Sequence, residues 1–255
     1  MSPFPYLVKA HIATGAVGLL LFWVAVLSRK GGATHKRWGR VFVYSMLVTG
    51  CFAMGMGIAT ILDPVGTHPK LPDTVMVTGI FGWMMLYLAI LTISLAWHGR
   101  GVVLNKRDHL ANRGGFDVFL QILVIVAAVN CAVQGWLISQ PLMMGIAIVG
   151  VASGVTNLVF TFGKPPAKHA FLLEHVKALV GAGISVYTAF MTFGLVRLMP
   201  EHALNPATWV IPLTVGLGLI IYHQAQLRKQ YAPRVAPSTG VQAGSTGATA
   251  TAAEQ

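Results

Sequence analysis

Side chains able to exchange protons or hold a ligand are scarce in this chain. Its 255 residues include nine histidines, seven carboxylates and two cysteines. Six of the histidines, His35, His98, His109, His169, His175 and His223, fall where apolar runs meet basic loops. Neutral imidazole binds metals and haem, and it changes charge near neutral pH. The spacing itself is weak: there is no HExxH, no HxxxH and no paired cysteine. Solvated or snorkelling histidine is the bland alternative for each of the six.

Glu174-His175 is the sharper signal, because Glu174 is the one glutamate in or beside an apolar run. A carboxylate at a helix start has a plain electrostatic reason to be there. The functional reading uses the stripe Glu174, Ala178, Gly181, Ser185, Thr188 and Thr192, which is either packing surface or the wall of a polar cavity. Depth places Glu174 and His175 with His35 or His109 at one end of a bundle. These four, with Arg37 and Arg40 on an anionic lipid or substrate, form the candidate ligand site. A carboxylate beside an imidazole would orient its ring and favour the protonated form.

Three further polar residues lie inside apolar runs: His11, Asp117 and Gln121. Ionisable groups in a span are functional candidates by default. Their plainer roles are a cross-helix hydrogen bond for His11 and pairing with Arg113, one turn earlier, for Asp117.

These residues must be positioned by long apolar helices. The chain is 55% hydrophobic and 10% charged, where soluble domains carry roughly 25% charged residues. Seven runs are long enough to span a bilayer, which needs roughly 20 apolar residues. They cover Tyr6–Ser28, Val41–Leu62, Val75–Trp97, Phe116–Ile138, Pro141–Phe162, Phe171–Met199 and Thr208–His223. The expected fold is therefore an all-α seven-helix bundle over residues 1–230. The short alternating segments of a β-barrel are absent. Residues 231–255, rich in Ala, Gly, Ser and Thr, have too little apolar surface to offset ordering entropy and are expected to form a disordered tail.

The basic residues set the expected orientation. Seven crossings place 15 of the 18 Lys and Arg on one side, leaving Lys9, Lys70 and Arg197 on the other. The positive-inside rule then puts the N-terminus outside and the C-terminus in the cytoplasm. The first run carries no basic n-region, and Arg29-Lys30 stands where a cleavage site would fall, so it is expected to be retained. A net charge of +11 on loops and helix ends points to anionic lipid; no basic domain outside the bundle offers itself to nucleic acid. A membrane partner or self-association remains open. Cys51 and Cys131 lie inside spans and are expected to be small buried residues.

Several segments carry a family resemblance. His11-x3-Gly15, Arg29-Lys30-Gly31 and His35-x3-Gly39-Arg40-Val41-Phe42 resemble the 2306-type domain-of-unknown-function family of bacterial multi-pass membrane proteins. Trp97-His98-Gly99-Arg100, the later His109, and Glu174-His175 followed by Tyr187-Thr188-Ala189-Phe190 also look like it. The chain departs from the pattern at Ala111-Asn112, where the family has basic and aromatic residues. The resemblance implies a bacterial inner-membrane protein and brings no reaction with it.

Three functional classes follow from these residues. The first is an inner-membrane protein with a ligand or partner site at the cytoplasmic face, to which the sequence assigns no reaction. The second is a b-type haem protein or a quinone-linked redox protein, in which haem b would need two facing imidazoles. The third is a small transporter, for which a broken-helix signal is missing.

Overall fold

A computed structural model describes residues 3–165, 169–194 and 207–231. The described residues are all-helical, and seven helices are long and apolar enough to cross a membrane. We label them α1 (Phe4–Leu27), α2 (Ala33–Leu62), α3 (Thr74–Leu104), α4 (Gly115–Leu137), α5 (Pro141–Phe162), α6 (Ala170–Gly194) and α7 (Ala207–Tyr231). Neighbours run antiparallel: His11 meets Thr49 and Gly18 meets Met46 between α1 and α2. Thr92 meets Ser185 and Gly99 meets Ala178 between α3 and α6. Tyr231, expected to open the tail, ends α7 as helix; the rest of the expected tail lies outside the described residues, as does the end of the sixth expected run.

The seven expected runs are all present, but several helices extend past their apolar part. α2 begins at Ala33, so His35, Arg37 and Arg40 are helical and do not sit in a loop. α3 continues to Leu104 and carries Arg100 in helix, and α7 continues to Tyr231. Hydropathy marks the stretch that suits hydrocarbon, whereas a helix propagates through Lys, Arg and Gln as readily as through Leu. α1 ends at Leu27, and the link to α2 turns at Gly31, whose φ of +74° is costly for any residue with a Cβ.

α3 is the hub. Two thirds of its most apolar window, 67%, is buried, against 11% for α7, so α3 alone is enclosed on most sides. It packs against α2, α4 and α6. Near its start, Thr78–Met84 is wound as π-helix, and the Gly82 carbonyl lies 3.1 Å from where a Cβ on Gly57 of α2 would sit. Tyr87 is fully buried and donates to the Ile146 carbonyl of α5 at 2.7 Å. Large apolar side chains such as Leu20, Trp136, Ile148 and Ile221 are exposed around the outside. That is the inverse of a soluble surface and suits lipid contact.

Candidate functional site

α3 carries Ser94 and His98 one turn apart, and α4 carries Asp117 and Gln121 at the same spacing. Each pair therefore lies on one helix face. Glu174 and Lys177 make a third such pair on α6. The bundle brings all three together in the half that holds the basic loops.

His98 is at the centre and is 1% exposed. Its Nδ1 faces Asp117 Oδ2 at 3.0 Å, and its Nε2 faces Glu174 Oε1 at 3.2 Å. Carboxylate oxygens accept, so two ring N–H donors are needed while both acids are ionised. The group therefore stores one proton more than a neutral imidazole holds, on the ring or on a carboxyl. Lys177 Nζ donates to Glu174 Oε1 at 2.6 Å and to Thr156 Oγ1 of α5 at 3.1 Å. On the other flank, Gln121 Nε2 donates to Asp117 Oδ1 at 3.4 Å. Gln121 Oε1 in turn accepts from Ser94 Oγ at 3.1 Å and from Asn157 Nδ2 of α5 at 3.0 Å. One connected polar chain thus joins α3, α4, α5 and α6.

Charge balance explains how such a chain sits inside an apolar bundle. With His98 protonated, two cations face two carboxylates. Buried charges are tolerated only when paired and hydrogen-bonded, and here every one is. Beyond Gln121, Asn157 Oδ1 and Thr161 Oγ1 are buried and have no protein partner. An open cleft of about 370 Å³ reaches the group from the basic end, lined by His98 and Asp117 with Trp97, Arg100, Asn105 and Asn112.

The candidates named from sequence separate into groups. Glu174 and Asp117 join His98, with Gln121 behind them. The expected pairing of Asp117 with Arg113 does not form: Arg113 donates to the carbonyls of Thr161 and Phe162, each at 3.3 Å. His175 leaves Glu174 and approaches His35, with ring centroids 6.4 Å apart. Its Nδ1 donates to the Gly99 carbonyl at 2.7 Å, and His35 Nδ1 donates to the Ala25 carbonyl at 3.0 Å. His109 joins neither group and sets its ring edge on Phe160, at 5.2 Å between centroids. Arg37 and Arg40 are exposed on α2, with Arg37 over the Trp38 ring. His11 is far away, donating from Nδ1 to the Thr49 carbonyl at 3.1 Å, which is the plain cross-helix role.

His98 is the residue that sequence reasoning misplaces, by grouping it with surface histidines. The sequence nevertheless holds a usable signal. Asp117 and Glu174 are the carboxylates within spans and demand a buried cation, and Trp97-His98-Gly99 pairs an imidazole with the glycine that lets α6 close on it. A Cβ on Gly99 would lie 2.7 Å from Leu179 Cδ2 and 3.0 Å from Ala178 Cβ.

The α6 stripe is packing surface where it meets α3, with Thr92 and Ser185 hydroxyls 2.7 Å apart. No three His, Cys, Asp or Glu among the described residues converge closely enough to hold a metal. Both cysteines are free, with Cys131 buried as expected and Cys51 exposed, against expectation, on the outer face of α2. Fold and site together define a multi-pass helical membrane protein with a buried imidazole–carboxylate chain. No protein-family model, curated protein or solved structure matches the chain. The family resemblance accordingly rests on the quoted motifs.

Proposed function

We propose that this chain is a bacterial inner-membrane protein that binds a small polar ligand from its cytoplasmic face and couples that binding to a proton held at Asp117, His98 and Glu174. One observation carries the reading: an imidazole 1% exposed, with a carboxylate from a different helix on each ring nitrogen. Burial makes each proton position depend on the others, and an imidazole can take a proton on one nitrogen and release one from the other. The cleft gives solvent and ligand a route to Asp117. The charge asymmetry supports an outside N-terminus and a cytoplasmic basic end. The ligand site expected at the inner face keeps Glu174 and moves its centre to His98. Haem b draws less support, because His98 offers iron no free lone pair while both carboxylates hold its ring.

Infrared spectroscopy of lipid-reconstituted protein across a pH titration tests this. A carboxylic-acid carbonyl band should grow on acidification and be removed or shifted by Asp117→Asn and by Glu174→Gln. His98→Asn should displace its midpoint. A wild-type protein with no titrating band sensitive to these three substitutions would overturn the reading.

A further inference from the structure

A second polar cluster sits at the same end of the bundle on the opposite side of α6. It gathers Lys30 from the α1–α2 link, His35 from the first turn of α2, His175 from α6 and His223 from α7. The α6–α7 register is set by Gly216 against Ile184 and by Gln224 Nε2 donating to the Leu173 carbonyl at 3.3 Å, which brings His223 level with His175. Lys30 Nζ and His35 Nδ1 both donate to the Ala25 carbonyl, which holds the two side chains together.

The chemistry of this cluster is one-sided. Among the described residues every ion pair belongs to the His98 chain, and none reaches these four. Among the described residues the remaining acid at this end, Asp108, accepts from the Leu110 N–H. Around the cluster the sequence adds Arg29, Lys36, Arg37 and Arg40 at the α1–α2 corner and Arg228 and Lys229 in the last turn of α7. Lys30 Nζ donates to the Val26 carbonyl and, at 3.3 Å, to that of Ala25, and burial holds its ammonium below its ordinary pKa. His35 and His175 use only Nδ1 on the backbone, so each keeps Nε2 for another partner. His223 Nε2 is buried without any partner. Three imidazoles and an ammonium without a carboxylate suit a group carrying several anionic oxygens, which draws protons onto the Nε2 atoms as it binds.

We infer that Lys30, His35, His175 and His223 form a binding site for a phosphate group in the seam between α1, α2, α6 and α7. Basic pockets between helices on the cytoplasmic side hold lipid headgroups in this manner. The same chemistry would seat the phosphate of a soluble compound. The inference does not depend on the His98 chain and stands or falls separately.

Purified protein in neutral detergent is titrated with phosphatidylglycerol, phosphatidylcholine or inorganic phosphate, and thermal unfolding and native mass spectra are read. Phosphatidylglycerol should raise the unfolding temperature and remain bound, and phosphatidylcholine, whose choline cation neutralises the same phosphate and is repelled by the basic cluster, should do neither. If inorganic phosphate stabilises equally well, the source is soluble; if only phosphatidylglycerol does, it is lipid. The double variant H35N/H175N should lose the shift. Lys30→Gln, which alters only a link residue, should weaken retention roughly tenfold, the cost of one charge-assisted hydrogen bond. Equal shifts with phosphatidylcholine, no shift with any probe, or wild-type retention by Lys30→Gln would overturn the site.

Discussion

Glu174 and His175 are consecutive residues that serve two unlike places. Consecutive side chains on a helix point about 100° apart. One therefore meets His98 of α3, and the other turns toward His35 of α2. In the first, an imidazole is held by two carboxylates and the charges balance within the protein. In the second, His35 and His175 are held by backbone carbonyls, and among the described residues no carboxylate pairs with them. The partners within reach, more than residue type, separate an imidazole held by carboxylates from one held by backbone carbonyls.

The sharpest way to break this contrast is to remove the central imidazole. His98→Leu leaves Asp117 and Glu174 buried without their bridging cation. The variant should unfold more easily by roughly 3–5 kcal/mol, the usual cost of breaking a buried pair. Adding Asp117→Asn and Glu174→Gln to His98→Leu should recover a large part of that loss. Thermal unfolding in detergent measures both, and a loss under about 1 kcal/mol for His98→Leu alone would mean that the acids are not held by it.

Gly99→Ala tests whether the two places share one helix crossing. The new methyl would meet Leu179 and Ala178 and push α6 from α3, costing roughly 1–3 kcal/mol. Because the Gly99 carbonyl also holds His175, both the infrared band and phosphatidylglycerol retention should change. A change in only one would show that the places move independently.

Arg40→Ala should do least. Arg40 is exposed on α2, and a surface substitution of that kind shifts stability by about 0.5 kcal/mol or less. Its contribution should instead appear as slightly weaker phosphatidylglycerol retention that vanishes at high salt, as a screened surface charge predicts. A salt-independent loss would place Arg40 within the phosphate contact itself.

Much of the framework is legible in the sequence. Hydropathy marks seven spans because a bilayer-crossing helix must be apolar over a fixed length. The pairing of Asp117 with Gln121 on one face follows from helical period alone. The helix ends are less legible: at His35–Arg40 the charges suggest loop, yet nothing in those side chains stops a helix short of the glycines at 31 and 32. Sequence points Asp117 at Arg113 because local partners are the ones that spacing along a single helix can reveal.

By itself the sequence determined that the chain is helical, apolar and basic at one set of helix ends, and that Asp117, Glu174 and six histidines sit near that end. Those properties depend on composition and on spacing within single helices. Only the tertiary structure decided that His98 takes both acids, that His175 turns to His35, and that Lys30 meets His35 at the Ala25 carbonyl. Those pairings span 19 and 76 residues from His98 to Asp117 and Glu174. They are set by which faces of α3, α4 and α6 can approach, and that approach depends on Gly99 and on the packing of every neighbouring helix at once.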